Sequence, residues 1–225
     1  MESIFEDIRE RDMDFLFMEE FNVNREFTEK LFEKIIPEIY ESNNILAKHS
    51  IFDEQFGETD IYISFSIKGI DYIFLIENKI NAVFQPDQAK RYNLRKENIL
   101  KNNYEIRVYS VLFAPEKYIT THNESNEFDF SISYENILNY FESKNSVRDI
   151  YKSSIVKMAI EQSRRGYNIK ENEIVTKFWK NYWTYLHNNY PNIIMKEPNI
   201  KPFDADWPLF YFHWLPKKWE IHHKL

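Results

Sequence analysis

The sequence predicts an α/β chain: a mixed sheet flanked by helices, followed by a mostly helical C-terminal region that ends in a strand. Three observations carry that expectation. Residues 60–67 and 70–77 alternate apolar and polar positions and lie back to back around Lys68-Gly69. Segments of helical periodicity stand on both sides of them, and the order helix, strands, helix, strand, helices favours a layered sheet over a bundle. The 225 residues are 43% hydrophobic and 17% aromatic, enough apolar material for a sizeable core.

The elements follow in order. Residues 12–22, "DMDFLFMEEFN", read as a helix opening at Asp12 or Asp14. Residues 24–40 set Phe27, Leu31, Phe32, Ile35 and Ile36 at helical spacing, and that helix is expected to close near Pro37. Residues 45–52 read as a short strand, followed by the two alternating strands. A charged helix is expected over 86–101, opening at Pro86. Residues 105–113, "EIRVYSVLF", form a β-rich strand ended by Ala114-Pro115. Helices are expected over 133–143, 146–165 and 171–189, after which "WPLFYFHWLPKKWEIHHKL" turns strand-like. No internal repeat or low-complexity tract interrupts this order. The expected organisation is a core over 1–145 and a helical, aromatic-rich region over 146–225.

Composition narrows the chemistry. There is no cysteine, which removes disulfides and thiolate metal sites. Only three glycines are present, Gly57, Gly69 and Gly166, too dispersed for a phosphate-cradling loop. The net charge of −7 is uneven: residues 1–145 hold 16 Lys+Arg against 28 Asp+Glu, and residues 146–225 hold 13 against 8. The acidic part is a poor non-specific nucleic-acid binder, while the basic part offers a local positive face or an ordinary solvated surface. The first residues are charged, and no apolar run approaches the roughly 20 residues of a membrane span. A soluble, cytoplasmic protein without a membrane partner is expected.

The stretch "GETDIYISFSIKGIDYIFLIENKI", residues 57–80, concentrates the candidate chemistry. A two-residue turn at Lys68-Gly69 pairs Ile67 with Ile70, Phe65 with Tyr72, Ile63 with Phe74 and Ile61 with Ile76, so the apolar face matches itself. The same register sets Asp60 opposite Glu77, with Cβ atoms roughly 4.5–5.5 Å apart. Lys79, two residues on, projects from the face of Glu77. Two carboxylates so close repel, and a divalent cation relieves them; oxygen ligands favour Mg²⁺, Mn²⁺ or Ca²⁺. A salt bridge at a strand end, Asp60 or Glu77 with Lys79, accounts for the same spacing.

Asp60 followed by Glu77-Asn78-Lys79 at the end of the next strand resembles the PD-(D/E)xK nuclease superfamily, with Thr59 where that motif carries proline. Gln88 and Tyr92, four apart on the following helix, resemble the Gln-x-x-x-Tyr element of several nuclease lineages. The combination "RDMDFLFMEEF", "GETD", "IENKI" and "FQPDQAKRY" is similar to one bacterial branch of the superfamily, over residues 9–115. The resemblance implies a restriction-endonuclease-like αβββαβ core and phosphodiester hydrolysis, possible in restriction or phage defence. It implies Mg²⁺ (or Mn²⁺) held by Asp60, Glu77 and the main-chain carbonyl of Asn78. Asp60, Glu77 and Lys79 are then catalytic, and Gln88 and Tyr92 brace them. Many members place a third acid on the first helix; here Glu19 and Glu20 are the candidates, Glu20 preferred, with Glu26 and Glu29 behind them.

Other residues admit two readings. Lys90, Arg91, Arg95 and Lys96 either contact phosphates or form a solvated helix face. His49 either adjoins the metal or is an ordinary hydrogen-bonded strand histidine. Phe178, Trp179, Tyr182, Trp183 and Tyr185, beside Lys177 and Lys180, either stack on bases or make a helical core. The expected partner is nucleic acid, DNA favoured and RNA possible. The alternatives are a non-catalytic nucleic-acid or protein-binding module on the same fold, or an RNA- or tRNA-directed nuclease. In the branch this chain resembles, a similar stretch runs on into a further strand, so the chain is expected to be either a natural short form or a partial one. If residues are missing, its aromatic C-terminal edge is expected to take a second copy of the chain or a partner protein.

Overall fold

A computed structural model describes residues 7–101, 105–165, 171–202, 205, 209–212 and 221–222. They fall into two compact units, Met1–Tyr167 and Asn168–Leu225. The first unit runs α1 (Glu10–Val23), α2 (Arg25–Phe32), a 3-10 turn (Ile39–Glu41), β1 (Asn43–Asp53), β2 (Gly57–Ile67) and β3 (Ile70–Asn78). It continues with α3 (Gln88–Lys101), β4 (Ile106–Ala114), α4 (Glu116–Thr121), a second 3-10 turn (Asn123–Glu127), β5 (Phe130–Ser133), α5 (Tyr134–Glu142) and α6 (Val147–Arg165). The five strands form one sheet in the order β1-β2-β3-β4-β5. The first three are antiparallel, and β4 and β5 run parallel to β3, so the sheet is mixed as expected.

Burial explains the layers. Ile61, Ile63, Phe65 and Ile67 of β2 point into one core, where Met13, Phe17 and Phe21 of α1 meet Phe74, Phe113 and Phe141. Met13, Leu16, Phe17, Glu20 and Phe21 repeat at helical spacing, so one stripe of α1 is buried. The smaller second core lies on the other side of the sheet, where Ala89 and Tyr92 of α3 pack with Ile73, Leu75 and Leu112. Strand β3 therefore contributes to both cores and loses its alternation of exposure after Tyr72.

Three boundaries differ from the sequence expectation. The helix expected over 24–40 ends at Phe32 and gives way to turns over 33–38. Pro37 disfavours helical geometry at Ile36, and the N–H groups of Ile35 and Ile36 both close back onto the Phe32 carbonyl. The periodicity there is still meaningful, since Ile36 and Ile39 plug the core from turns. The segment 133–143 divides into the end of β5 and helix α5, capped by the Ser133 hydroxyl on the Asn136 N–H. Finally, α6 belongs with the first unit rather than with the C-terminal region, because Val156, Ala159 and Ile160 join the main core.

The second unit holds α7 (Glu173–Asn189) and the short strands β6 (Ile193–Ile194), β7 (Leu209–Phe212) and β8 (Ile221–His222), paired antiparallel. Trp179 is buried under the Lys201 ammonium, 4.0 Å from its ring centre, and the Trp183 indole N–H donates to the Met195 carbonyl at 3.0 Å. Both tryptophans thus serve packing within this unit. Most of the aromatic tail, 213–220 and 223–225, lies outside the described residues. Among the described residues no helix is long and apolar enough to cross a membrane.

Candidate active site

The β2–β3 hairpin turns at Lys68 (φ 51°) and Gly69 (φ 83°), the two positive φ values that a tight two-residue turn needs. Its pairs are Ile67 with Ile70, Phe65 with Tyr72, Ile63 with Phe74 and Ile61 with Ile76, the register the alternation predicts. The ladder ends at Ile61 with Ile76, and just beyond it the Asp60 and Glu77 carboxyls lie close enough to repel. The Asp60 Oδ2 accepts the main-chain N–H of Asn78 at 2.9 Å.

The three charges have unlike surroundings. Glu77 is 1% exposed. Its Oε1 accepts the Gln88 amide at 2.7 Å and lies 2.9 Å from the Lys79 Nζ. Its Oε2 is buried and meets no hydrogen-bond geometry among the described residues, with the Tyr92 hydroxyl close beside the carboxylate. Burial first, then the nearby Glu77 and Asp14 carboxylates, push the Asp60 carboxyl up to about 9. Burial works against the Lys79 charge, but Glu77 and Glu10 outweigh it and hold the ammonium above its ordinary range. Lys79 therefore stands as an ammonium able to donate hydrogen bonds.

Helix α3 braces this end, as the Gln-x-x-x-Tyr spacing suggests. Gln88 fixes Glu77 and accepts the Gln85 N–H at 2.9 Å through its own Oε1. The buried Tyr92 hydroxyl donates to the Ile76 carbonyl at 3.2 Å and accepts the Asp60 N–H at 3.3 Å. Arg95 departs from its expected phosphate-binding role. It is buried, with its guanidinium 4.0 Å from the Tyr92 ring centre and hydrogen-bonded to the Thr59 hydroxyl. Of the other cations, Arg91 is half-buried against Gln85, Lys96 is paired with Asp129, and Lys90 is exposed.

Helix α1 delivers two acids to the site, and neither is Glu20. The Glu20 carboxylate is taken up by Lys152 at 2.5 Å, Arg148 at 2.7 Å and the Asn24 amide at 2.6 Å. It lies six residues, roughly 9 Å of helix rise, beyond Asp14. Glu19 is shared by the same two cations, which hold its carboxyl below the ordinary range, and Glu26 and Glu29 pair with Lys144 and Arg25. The acids that do arrive are Glu10 and Asp14. Glu10 accepts the Ile80 N–H at 2.8 Å and stands 3.9 Å from Lys79. Asp14 accepts the Asn78 amide at 2.7 Å and lies 3.4 Å from the His49 Nε2. Burial raises both carboxyls, Asp14 to about 7. Their i,i+4 spacing, and a helix start three residues before Met13, are the sequence signals that would have found them. His49 sits on the edge strand β1, its ring tilted against Phe15, and touches the site through Asp14.

The donors suit a hard divalent cation: oxygen ligands only, two adjacent carboxyls, and one buried carboxylate oxygen left unused. The Asn78 side chain is engaged elsewhere, so this residue can offer only its main-chain carbonyl. Among the described residues no three Asp, Glu or His side chains converge on one point as a ready-made cage. No family model, no curated protein and no solved structure matches this chain.

Proposed function

We propose that this chain is a metal-dependent nuclease of PD-(D/E)xK type, hydrolysing phosphodiester bonds of nucleic acid, DNA in the first instance, on a restriction-endonuclease-like core. The observation that carries the reading is the close approach of two buried carboxyls, Glu77, whose Oε2 meets no hydrogen bond among the described residues, and Asp60, which burial and repulsion keep from ionising. A buried acceptor left without a donor costs about 1–3 kcal/mol, and a cation bound beside Asp60 would supply the missing partner.

Asp60 and Glu77, with the Asn78 carbonyl, would hold Mg²⁺ or Mn²⁺. When bound, such a cation polarises the phosphoryl group and acidifies a water. Gln88 and Lys79 occupy Oε1 of Glu77 and leave Oε2 the oxygen that a cation would take. Lys79 orients water by donation and offsets the negative charge that grows on the phosphoryl oxygens. Lys90 and Arg91, at the start of α3, are the cations available to the flanking phosphates.

A second reading has its own support: Lys79 and Glu77 already neutralise each other, which suits a binding module that keeps this fold without cleaving. Incubation with plasmid, linear and single-stranded DNA and with total RNA, in Mg²⁺, Mn²⁺ or EDTA, separates the two. Cleavage of DNA that needs metal and falls about a thousandfold or more in Asp60→Ala and Lys79→Ala is expected. Cleavage of RNA alone would redirect the enzyme to RNA. No cleavage by the folded protein in any arm would favour the binding module.

A further inference from the structure

Asn78, the middle residue of Glu77-Asn78-Lys79, carries a side chain that the proposed chemistry does not use. It is fully buried. Its Nδ2 donates to the Glu10 carbonyl at 3.0 Å and to the Asp14 carboxylate at 2.7 Å. Its Oδ1 accepts the Tyr134 hydroxyl at 2.6 Å. Tyr134 is itself fully buried at the first turn of α5, edge-on to Phe17 of α1. One amide thus ties the end of β3 to two helices that reach it from distant parts of the chain.

The main-chain N–H of the same residue is the donor that holds Asp60. Strand alternation sends Glu77 and Lys79 to one face while Asn78 is anchored on the other. We propose that Asn78 is the positioning residue of this site. Clamped by Glu10, Asp14 and Tyr134, it fixes the peptide whose N–H places Asp60, and with it the separation of Asp60 from Glu77. The role rests on the nuclease reading for its consequence in catalysis, but not for its geometry. Tyr134 acts through Asn78 and touches no reacting group.

Tyr134→Phe tests this with little risk to folding, since it removes one hydroxyl and leaves the ring in the core. Amide hydrogen exchange followed by NMR reads the placement directly. The Asn78 N–H should exchange about tenfold faster in the variant, while the amides of Ile63 and Phe74 in the hairpin keep their wild-type rates. In Mg²⁺, kcat should fall about tenfold with KM unchanged, and Mn²⁺ should bind about tenfold more weakly. Asn78→Ala should exceed Tyr134→Phe in the catalytic and Mn²⁺ readouts. Unchanged Asn78 exchange in folded Tyr134→Phe overturns the proposal, whatever the activity. Faster exchange in a protein whose wild type neither binds Mn²⁺ nor cleaves upholds the positioning and removes the nuclease reading.

Discussion

Glu20 and Glu77 are both buried acids of the first unit, and their surroundings differ in kind. Around Glu20, two carboxylates meet two cations: Lys152 and Arg148 each contact both Glu19 and Glu20, and Asn24 takes the remaining Glu20 oxygen. At the hairpin end, Glu77 and Glu10 lie within reach of one ammonium, Lys79, with the Asp60 carboxyl nearby, while Asp14 sits beside His49. One carboxylate oxygen there has no partner among the described residues. On the proposed reading, burial alone does not mark function in this molecule: the compensated acid holds helices together, whereas the under-compensated one would take a ligand.

The comparison breaks first, and with the largest effect, at Glu20. Glu20→Leu leaves the buried Lys152 facing only Glu19 and should cost about 3–5 kcal/mol in urea unfolding. A loss below about 1 kcal/mol would show that this cluster is no more structural than the other. At the hairpin the sign should invert. Asp60→Asn should stabilise the metal-free protein by about 1–3 kcal/mol near pH 8, because the native carboxyl titrates at about 9 instead of near its ordinary 3.8. A carboxyl raised by folding keeps its proton in the native state after the unfolded chain has lost it. Wild-type stability in EDTA should accordingly fall as pH rises from about 4 towards 9, with Asp14, at about 7, adding to the fall over the lower part of that range.

Smaller effects sharpen the contrast. Gln88→Ala removes the bond that turns Glu77 and should lower kcat/KM about tenfold, with a stability change near 1 kcal/mol. Lys90→Ala, an exposed cation at the start of α3, should raise KM less than about threefold and slightly flatten its dependence on salt. A larger effect at Lys90 than at Gln88 would place the important contacts on the rim instead of behind Glu77.

Much of this site is legible in the sequence because its determinants are local. Strict alternation and a glycine turn fix the register from Ile61 to Ile76, and just beyond it the Asp60 and Glu77 carboxyls lie near each other. Four-residue spacing aims Gln88 and Tyr92 at the same place. The same helix face, three residues on, carries Arg95, so its stacking on Tyr92 was equally readable, yet its charge suggests a surface role. What the sequence does not reveal is set by distant partners. Glu20 is buried by cations more than 125 residues away, and no periodicity within α1 distinguishes it from Asp14. Tyr134 reaches Asn78 across 56 residues, from a helix whose start is obscured by the four-residue strand β5.

The most direct test of the central claim is the thermal unfolding of wild type and Asp60→Asn, each in EDTA, Mg²⁺ and Mn²⁺. The account predicts that Asp60→Asn melts above wild type in EDTA, and that either metal raises the wild-type midpoint while leaving the variant unmoved. A wild type indifferent to both metals, with Asp60→Asn destabilised in the manner of Glu20→Leu, would contradict it and make the hairpin end a structural ion pair.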